Sequence, residues 1–228
     1  MRSFVDALTE RGWASTKGVL DAAAVASLRE VIAPYAIDGR GGARNLLLNE
    51  NIRALAVSSD VRAFATAVLG DECFAVRALL FDKTPSANWK VVWHQDLTIA
   101  ARERIDVPGF GPWTEKAGVP HVQPPVDILE RMLAVRIHLD ACTATNGPVR
   151  VVERSHRLGR LSASAIDELR RTEAECECLV EQGGILAFRP LIVHASAPAT
   201  KPAHRRVIHI EYTSHLLPSP LEWHQRVA

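Results

Sequence analysis

The stretch Met132 to Ala141, MLAVRIHLDA, constrains the fold of this chain more than any other. It alternates without a break: Leu133, Val135, Ile137 and Leu139 share one parity, and Met132, Ala134, Arg136 and His138 the other. Period two marks a strand, whose successive side chains point to opposite faces. One face is aliphatic and needs a cover. If helices cover it, Arg136 and His138 point the other way, into the interior of the sheet structure.

The remaining sequence supplies both layers. Leu20 to Val31, LDAAAVASLREV, reads as a helix with Asp21 as N-cap and Val25, Leu28, Val31 and Ile32 as its apolar stripe. Asn51 to Leu69 reads as one or two further helices with a break at Ser58 to Asp60. The pattern then changes to short apolar runs bounded by turn formers. ECFAVRALLFDKT, WKVVWHQD, GPVRVVE, CECLVEQ, GILAFRP, LIVHASA and RRVIHIEYT are all strand candidates. Gly183-Gly184 is the expected hairpin turn between CECLVEQ and GILAFRP, and SASAIDELRRTEAE is a helix inserted among the strands. Helices followed by many strands imply an α+β fold whose main body is a β-barrel or sandwich. A single domain over residues 1–228 is expected, helical over about 1–70 and barrel over about 71–215. Leu97 to Pro125 stands apart: it carries Pro108, Pro112, Pro120, Pro124 and Pro125, and is expected to be a long functional loop or lid.

Charge narrows the partners. Lys and Arg number 27 against 26 Asp and Glu, a formal charge of +1, which gives no electrostatic basis for binding nucleic acid or an anionic membrane. The apolar runs fall well short of the roughly 18 residues of a membrane span. Asp6, Glu10 and Arg11 interrupt any signal-peptide core. Cys73, Cys142, Cys176 and Cys178 lack zinc-site spacing and read as reduced thiols of a cytoplasmic protein.

The chemistry concentrates in VVWHQDLT, Val91 to Thr98. His94 and Asp96 are two apart on an expected strand, so they share a face. His194, in LIVHAS, can supply a third ligand from a distant strand. Two histidines and one carboxylate on one face of an octahedron leave three positions open, the arrangement of non-haem Fe(II) oxygenases. A competing pair exists in His138-Leu139-Asp140. Strand counting favours the first pair: four strands can be placed between Asp96 and the His194 strand, and only about two after Asp140. Arg205 follows His194 on the next strand and Ser196 lies two residues after it, so guanidinium and hydroxyl could meet a carboxylate in one pocket. Arg206 points to the opposite face and reads as a surface charge.

WHQD, then VHAS and Arg205, together with NGPVRVVERSHRLGRL and FDKTPSANWKVVWHQDLTIA, resemble the phytanoyl-CoA dioxygenase-like family of Fe(II)/2-oxoglutarate oxygenases over roughly Phe74 to Tyr212. The resemblance implies a double-stranded β-helix, a cupin-like jelly-roll barrel, packed against N-terminal helices. It implies iron on His94, Asp96 and His194, and 2-oxoglutarate chelating that iron through its C1 carboxylate and 2-oxo group. The far carboxylate would pair with Arg205, assisted by Ser196, and O2 would take the last position. The products would be succinate, CO2 and an oxidised, most simply hydroxylated, small molecule. Two departures from the family pattern stand out: Val92 where a proline is common, and VVERSH in place of PGSH, which puts the turn at Glu153-Arg154 in question.

Further contacts to cosubstrate or substrate are expected from Arg136, Lys83 and His138, and from Trp113, His121 and Gln123 in the long loop. Arg44 and Asn45 lie on a segment that could fold over the barrel mouth, whereas Tyr35 and Phe110 read as packing residues. The alternative from another class is a jelly-roll protein that binds a small molecule without catalysis. A related iron halogenase is disfavoured because Asp96 keeps the carboxylate that those enzymes lose. Neither substrate nor oligomeric state is legible.

Overall fold

A computed structural model describes residues 1–37 and 39–228. The first 70 residues form four helices, α1 (Arg2–Arg11), α2 (Ala22–Ile32), α3 (Glu50–Val57) and α4 (Ser59–Leu69). Asp21 caps α2 as expected, accepting the Ala24 N–H at 2.8 Å, and the chain breaks at Ser58 between α3 and α4. This region is not purely helical. It also contributes β1 (Trp13–Thr16) and β2 (Gly42–Ala43), both of which join the main sheet.

The strands continue with β3 (Phe74–Lys83), β4 (Val91–His94), β5 (Ile99–Ala100), β6 (Trp113–Lys116) and β7 (Val119–Val122). A short helix, α5 (Val126–Glu130), leads into β8 (Met132–His138) and β9 (Val149–Val152). Helix α6 (Ala163–Thr172) precedes β10 (Glu175–Cys178), β11 (Ile185–Phe188), β12 (Val193–Ser196) and β13 (Arg205–Thr213). Three antiparallel sheets result, in the orders β1-β11-β8-β13-β3-β2, β10-β9-β12-β4 and β5-β7-β6. The first two face each other as the two sheets of a jelly roll.

The alternation in β8 predicts this layering correctly. Leu133, Val135, Ile137 and Leu139 pack with Val25, Ile32, Ile52 and Val61 in one core between the six-stranded sheet and the helices. Tyr212 ties that core down, its hydroxyl donating to the Ala56 carbonyl at 2.8 Å. Ala134, Leu186 and Phe188 point the other way and pack against Val149, Val151 and Ile192 of the facing layer. The buried cations Arg136 and Arg205 lie on the side of this sheet that faces the other one, where a cavity remains.

Three expectations are corrected. Residues 97–125 are not a structureless loop: they hold β5, β7 and β6, with Ile99, Val122 and Phe110 packed beside Leu129 and Trp223. Gly183-Gly184 does form a turn, but β10 pairs with β9 and β11 with β1 and β8, so the turn carries the chain between sheets and makes no hairpin. The chain after residue 215 also belongs to the fold, since Val227 exchanges two backbone hydrogen bonds with Ala75 at 2.8 and 2.9 Å. The turn at Glu153-Arg154 is left-handed without a glycine: Arg154 has φ of 65° and donates its N–H to the Arg11 carbonyl at 2.9 Å. All four cysteines are free, and among the described residues no helix is long and apolar enough to cross a membrane.

Candidate metal centre

Strands β4 and β12 are antiparallel neighbours with His94 directly opposite His194, and the two ring centroids are 4.3 Å apart. Strand β4 ends at His94, so Asp96 is not on the strand as expected. It is held instead by its own N–H, which donates to the Pro190 carbonyl at 2.9 Å. Gln95, between the two, is buried and acts as a clamp. Its amide donates to the carbonyls of Gly159 and Leu191 at 2.8 and 2.7 Å and accepts from the Leu161 N–H at 2.8 Å. The segment after the strand is thereby pinned so that Asp96 returns to the same side as His94.

The Asp96 carboxylate lies 3.6 Å from His94 Nε2 and 3.7 Å from His194 Nε2, beyond hydrogen-bond reach. One donor atom from each of the three residues lies within 4.8 Å of the others. Each imidazole is oriented by its other nitrogen: Nδ1 of His94 faces the Val92 carbonyl at 2.8 Å, and Nδ1 of His194 faces that of Ile192 at 2.9 Å. A carbonyl only accepts, so Nδ1 carries the proton and the Nε2 lone pair points inward, the tautomer a metal needs. Burial raises the Asp96 carboxyl, but the imidazoles of His194 and His94 outweigh it and hold the group well below the usual carboxylate range. Burial takes the His194 imidazole down to about 4, keeping it neutral. Two imidazole Nε2 atoms and one ionised carboxylate converging without direct contact fit a single Fe(II).

The competing pair is not drawn into such a cluster among the described residues. Asp140 is gripped by Arg206 through two 2.8 Å bonds and by Arg29 at 2.7 Å, on the side away from His138. Three strands, not two, separate it from β12, and seven separate Asp96. His138 is buried with neither ring nitrogen partnered.

The centre opens into a cavity of about 460 Å³ between the two large sheets. Its floor is the inward row of three adjacent strands: Arg77, Leu79 and Phe81 on β3, Arg136 on β8, and Arg205, His209 and Glu211 on β13. Arg205 and Ser196 both line it, as expected. Arg205 is buried on a central strand and donates to the Gly147 carbonyl. Gly147 has φ of 73°, and a Cβ there would stand 2.5 Å from the Ala197 carbonyl oxygen and 2.8 Å from Lys83 Nζ, so glycine is required. Lys83 lies behind Ser196, donating to its hydroxyl at 2.7 Å and to the Ala197 carbonyl. Burial and the neighbouring charge of Arg205 lower its ammonium to about 8. Arg136 is sandwiched by Phe81 and Phe188, 5.1 and 6.0 Å from their ring centroids. Burial, then Arg205, take its guanidinium down to about 10.

The other candidates divide. Arg44 and Gln123 line the cavity; His138, His121, Trp113 and Asn45 do not. His121 is buried in β7 and Trp113 packs with the small sheet's apolar cluster, because that segment is folded and not a free loop. Asn45 donates instead to the Ala117 carbonyl at 3.5 Å. The sequence reading missed Arg77, His209, Glu211, Lys116 and Trp89. Arg77 and Glu211 form a buried ion pair at the point where the β13–β3 register shifts, and His209 Nε2 faces Glu211 at 3.2 Å. Extending the alternation from Arg205 through Val207 to residues 209 and 211 would have found two of these.

A facing pair of jelly-roll sheets with two histidines and an aspartate on one wall and buried cations on the other defines the non-haem iron oxygenase class. Residues 8–207 match the family model described as Phytanoyl-CoA dioxygenase (PhyH). The chain belongs to this family and is an Fe(II)/2-oxoglutarate-dependent enzyme. No curated protein sequence matches it. Solved structures share the fold. EctD from S. alaskensis, crystallised with 2-oxoglutarate and 5-hydroxyectoine, is 18% identical with a TM-score of 0.70, over 93% of this chain and 76% of that one. AviO1 from Streptomyces viridochromogenes Tue57 is 21% identical with a TM-score of 0.69, over 95% and 96%. The 2-oxoglutarate-dependent epimerase SnoN of nogalamycin biosynthesis is 15% identical with a TM-score of 0.68, over 93% and 81%.

Proposed function

We propose that this protein hydroxylates a small molecule, with the balance RH + 2-oxoglutarate + O2 → ROH + succinate + CO2. The observation that carries the reading is the convergence of His94 Nε2, His194 Nε2 and the Asp96 carboxylate beside a cavity walled by buried cations. Fe(II) held by these three residues supplies the oxidising chemistry, drawing electrons from 2-oxoglutarate and the substrate. The chain's own residues bind and orient. Arg205 and the Ser196 hydroxyl hold the distal carboxylate of 2-oxoglutarate. Lys83, hydrogen-bonded to Ser196, fixes that hydroxyl and adds positive charge behind it. Arg136, held between two aromatic rings, presents its guanidinium to the cosubstrate from the neighbouring strand. The Val92 and Ile192 carbonyls keep both ligand imidazoles in the Nε2-binding tautomer. Substrate enters over the metal on the side of Trp89, Arg44 and Lys116. The test is anaerobic addition of Fe(II) and 2-oxoglutarate. A weak visible charge-transfer band is expected for the wild-type protein and not for His194→Ala. Loss of the band in the wild type would instead favour a binding protein without catalysis.

A further inference from the structure

The charges around the cavity do not balance. Arg44, Arg77, Lys116, Arg136 and Arg205 line it, five cations against the two carboxylates of Asp96 and Glu211. Loading does not correct this, because Fe(II) and the 2-oxoglutarate dianion cancel each other. Most of the cations have a task. Glu211 is taken by Arg77, Asp96 belongs to the metal centre, and Arg205 and Arg136 stand at the cosubstrate end. Arg44 and Lys116 are left over. Among the described residues neither lies within ion-pair distance of a carboxylate. Burial and the nearby charge of Arg77 depress both, so an anion arriving between them would relieve an existing repulsion.

Their placement is built. Arg44 stands just after β2, and Lys116 ends β6 at the turn into β7. The two segments meet over the cavity mouth, where Asn45 donates to the Ala117 carbonyl. Lys116 Nζ donates to the Thr98 hydroxyl at 3.0 Å, two residues along the chain from Asp96. The Arg44 segment lies flat on the sheet: a Cβ on Gly42 would come within 1.9 Å of the Leu80 carbonyl oxygen, and one on Gly41 within 2.4 Å of the Trp89 ring. Beyond Arg44 the cavity continues into a second space of about 600 Å³ walled by Tyr35, Phe81 and Trp89.

We infer that Arg44 and Lys116 form the recognition site for an oxyanion on the substrate, so that the enzyme acts on a small molecule bearing a carboxylate or phosphate group whose apolar body runs along Leu79, Phe81 and Trp89. This rests on the reading of the site as an Fe(II)/2-oxoglutarate hydroxylase. It assigns a charge to the substrate, which that reading leaves open.

The test uses the full chain loaded anaerobically with Fe(II) and saturating 2-oxoglutarate, so that the cosubstrate pocket is closed to other anions. The probes are carboxylates, phosphate monoesters, primary amides and amines built on one common set of alkyl, cyclic and aromatic scaffolds. Ligand-observed NMR reads binding, and broadening of probe resonances by the paramagnetic iron reports that they sit at the centre. Carboxylates or phosphates are expected to bind in preference to their matched amides and amines. The Arg44→Ala/Lys116→Ala double variant should weaken them roughly tenfold or more, and Arg44→Glu/Lys116→Glu should turn the preference towards amines. The Fe(II)–2-oxoglutarate band should persist in both, which separates lost anion recognition from misfolding. Equal binding of anions and amides, no anionic binder at all, or an anion preference that survives the double variants would overturn the inference. A wild-type protein that forms no band would overturn the hydroxylase reading itself. The carboxylate and phosphate arms decide which oxyanion is taken.

Discussion

Replacing Arg205 by alanine isolates the cosubstrate from the metal. Arg205 is 2% exposed, on a central strand, its guanidinium bonded to the Gly147 carbonyl and Lys83 directly opposite on β3. A planar two-pronged donor in that position matches a carboxylate as a lysine ammonium does not. Removing one partner of a buried charge pair costs on the order of 3–5 kcal/mol, mostly from stranding the other charge. That corresponds to a loss of affinity of roughly 100-fold to several thousand-fold. Lys83 and Arg136 remain beside the vacated position and offset part of the cost, so Arg205→Ala should sit near the lower end, about 100-fold. The assay is anaerobic titration of the Fe(II) protein with 2-oxoglutarate, following the visible band, together with succinate production against 2-oxoglutarate concentration. Fe(II) affinity should be nearly unchanged, since no ligand to the metal is touched. Arg206→Ala serves as the control: that side chain faces the other way and pairs with Asp140. A near-normal 2-oxoglutarate curve for Arg205→Ala, or a larger defect for Arg206→Ala, would refute the assignment.

Further outcomes are expected. His194→Ala should lose Fe(II) binding measured by equilibrium dialysis, whereas His138→Ala should retain it; an empty site in His138→Ala alone would reverse the ligand assignment. Lys83, lowered to about 8 in the empty pocket, is raised again by a bound dicarboxylate, so binding takes up a proton in between. The 2-oxoglutarate affinity should therefore fall as pH rises above about 8, and titrations of Lys83→Met should lack that part of the dependence. His121 is buried, and desolvation lowers its imidazole to about 4. The unfolded chain protonates near 6.5 and the fold refuses the proton, so stability should drop by up to about 3 kcal/mol as pH falls from about 6.5 to about 4. Urea midpoints of His121→Phe should fall less steeply over that range, and a slope equal to that of wild type would count against it. The segment 97–125, folded as a small sheet and packed beside Trp223, should resist limited proteolysis with or without ligands; rapid cutting there without ligand would mark it as a mobile lid.

Much of this molecule is written locally, and what is not local was misread. Asp21 and the break at Ser58 are visible because caps act within one turn. The faces of β8 are visible because alternation is a property of one strand. By contrast, β1 is the four-residue run Trp13–Thr16, too short to show a pattern of its own, and it becomes a strand because β11 offers it an edge. The turn at Gly183-Gly184 was found from its residues, but which strands flank it as partners is decided by the sheets on either side. The small sheet of β5, β7 and β6 was hidden by prolines that usually mark loops; Pro120 sits within β7, where its carbonyl still accepts from Ala101. At the site the candidate trio His94, Asp96 and His194, which the fold does bring together, was legible from spacing and family resemblance. Arg77 and Glu211 were not, because each looks like an ordinary strand charge until the β13–β3 register places them opposite one another.

That register also explains how the two halves of the site are kept apart. On the inner face of β13 the sequence Arg205, Val207, His209, Glu211 runs from the cosubstrate end towards the metal end, with Lys83, Phe81, Leu79 and Arg77 opposite them in turn. Cations therefore meet cations at one end, Arg205 beside Lys83, and a cation meets an anion at the other, Arg77 beside Glu211. On the proposed reading, the unneutralised end would attract a dianion and repel the metal. The neutralised end adds no net charge beside Asp96, which stays ionised for the metal. Between the two ends the inner row of β3 and β13 carries Val207, Phe81 and Leu79, with His209 as its one polar member. On the proposed reading, a single strand pair, read at every second residue, would order cosubstrate, substrate and metal along one line.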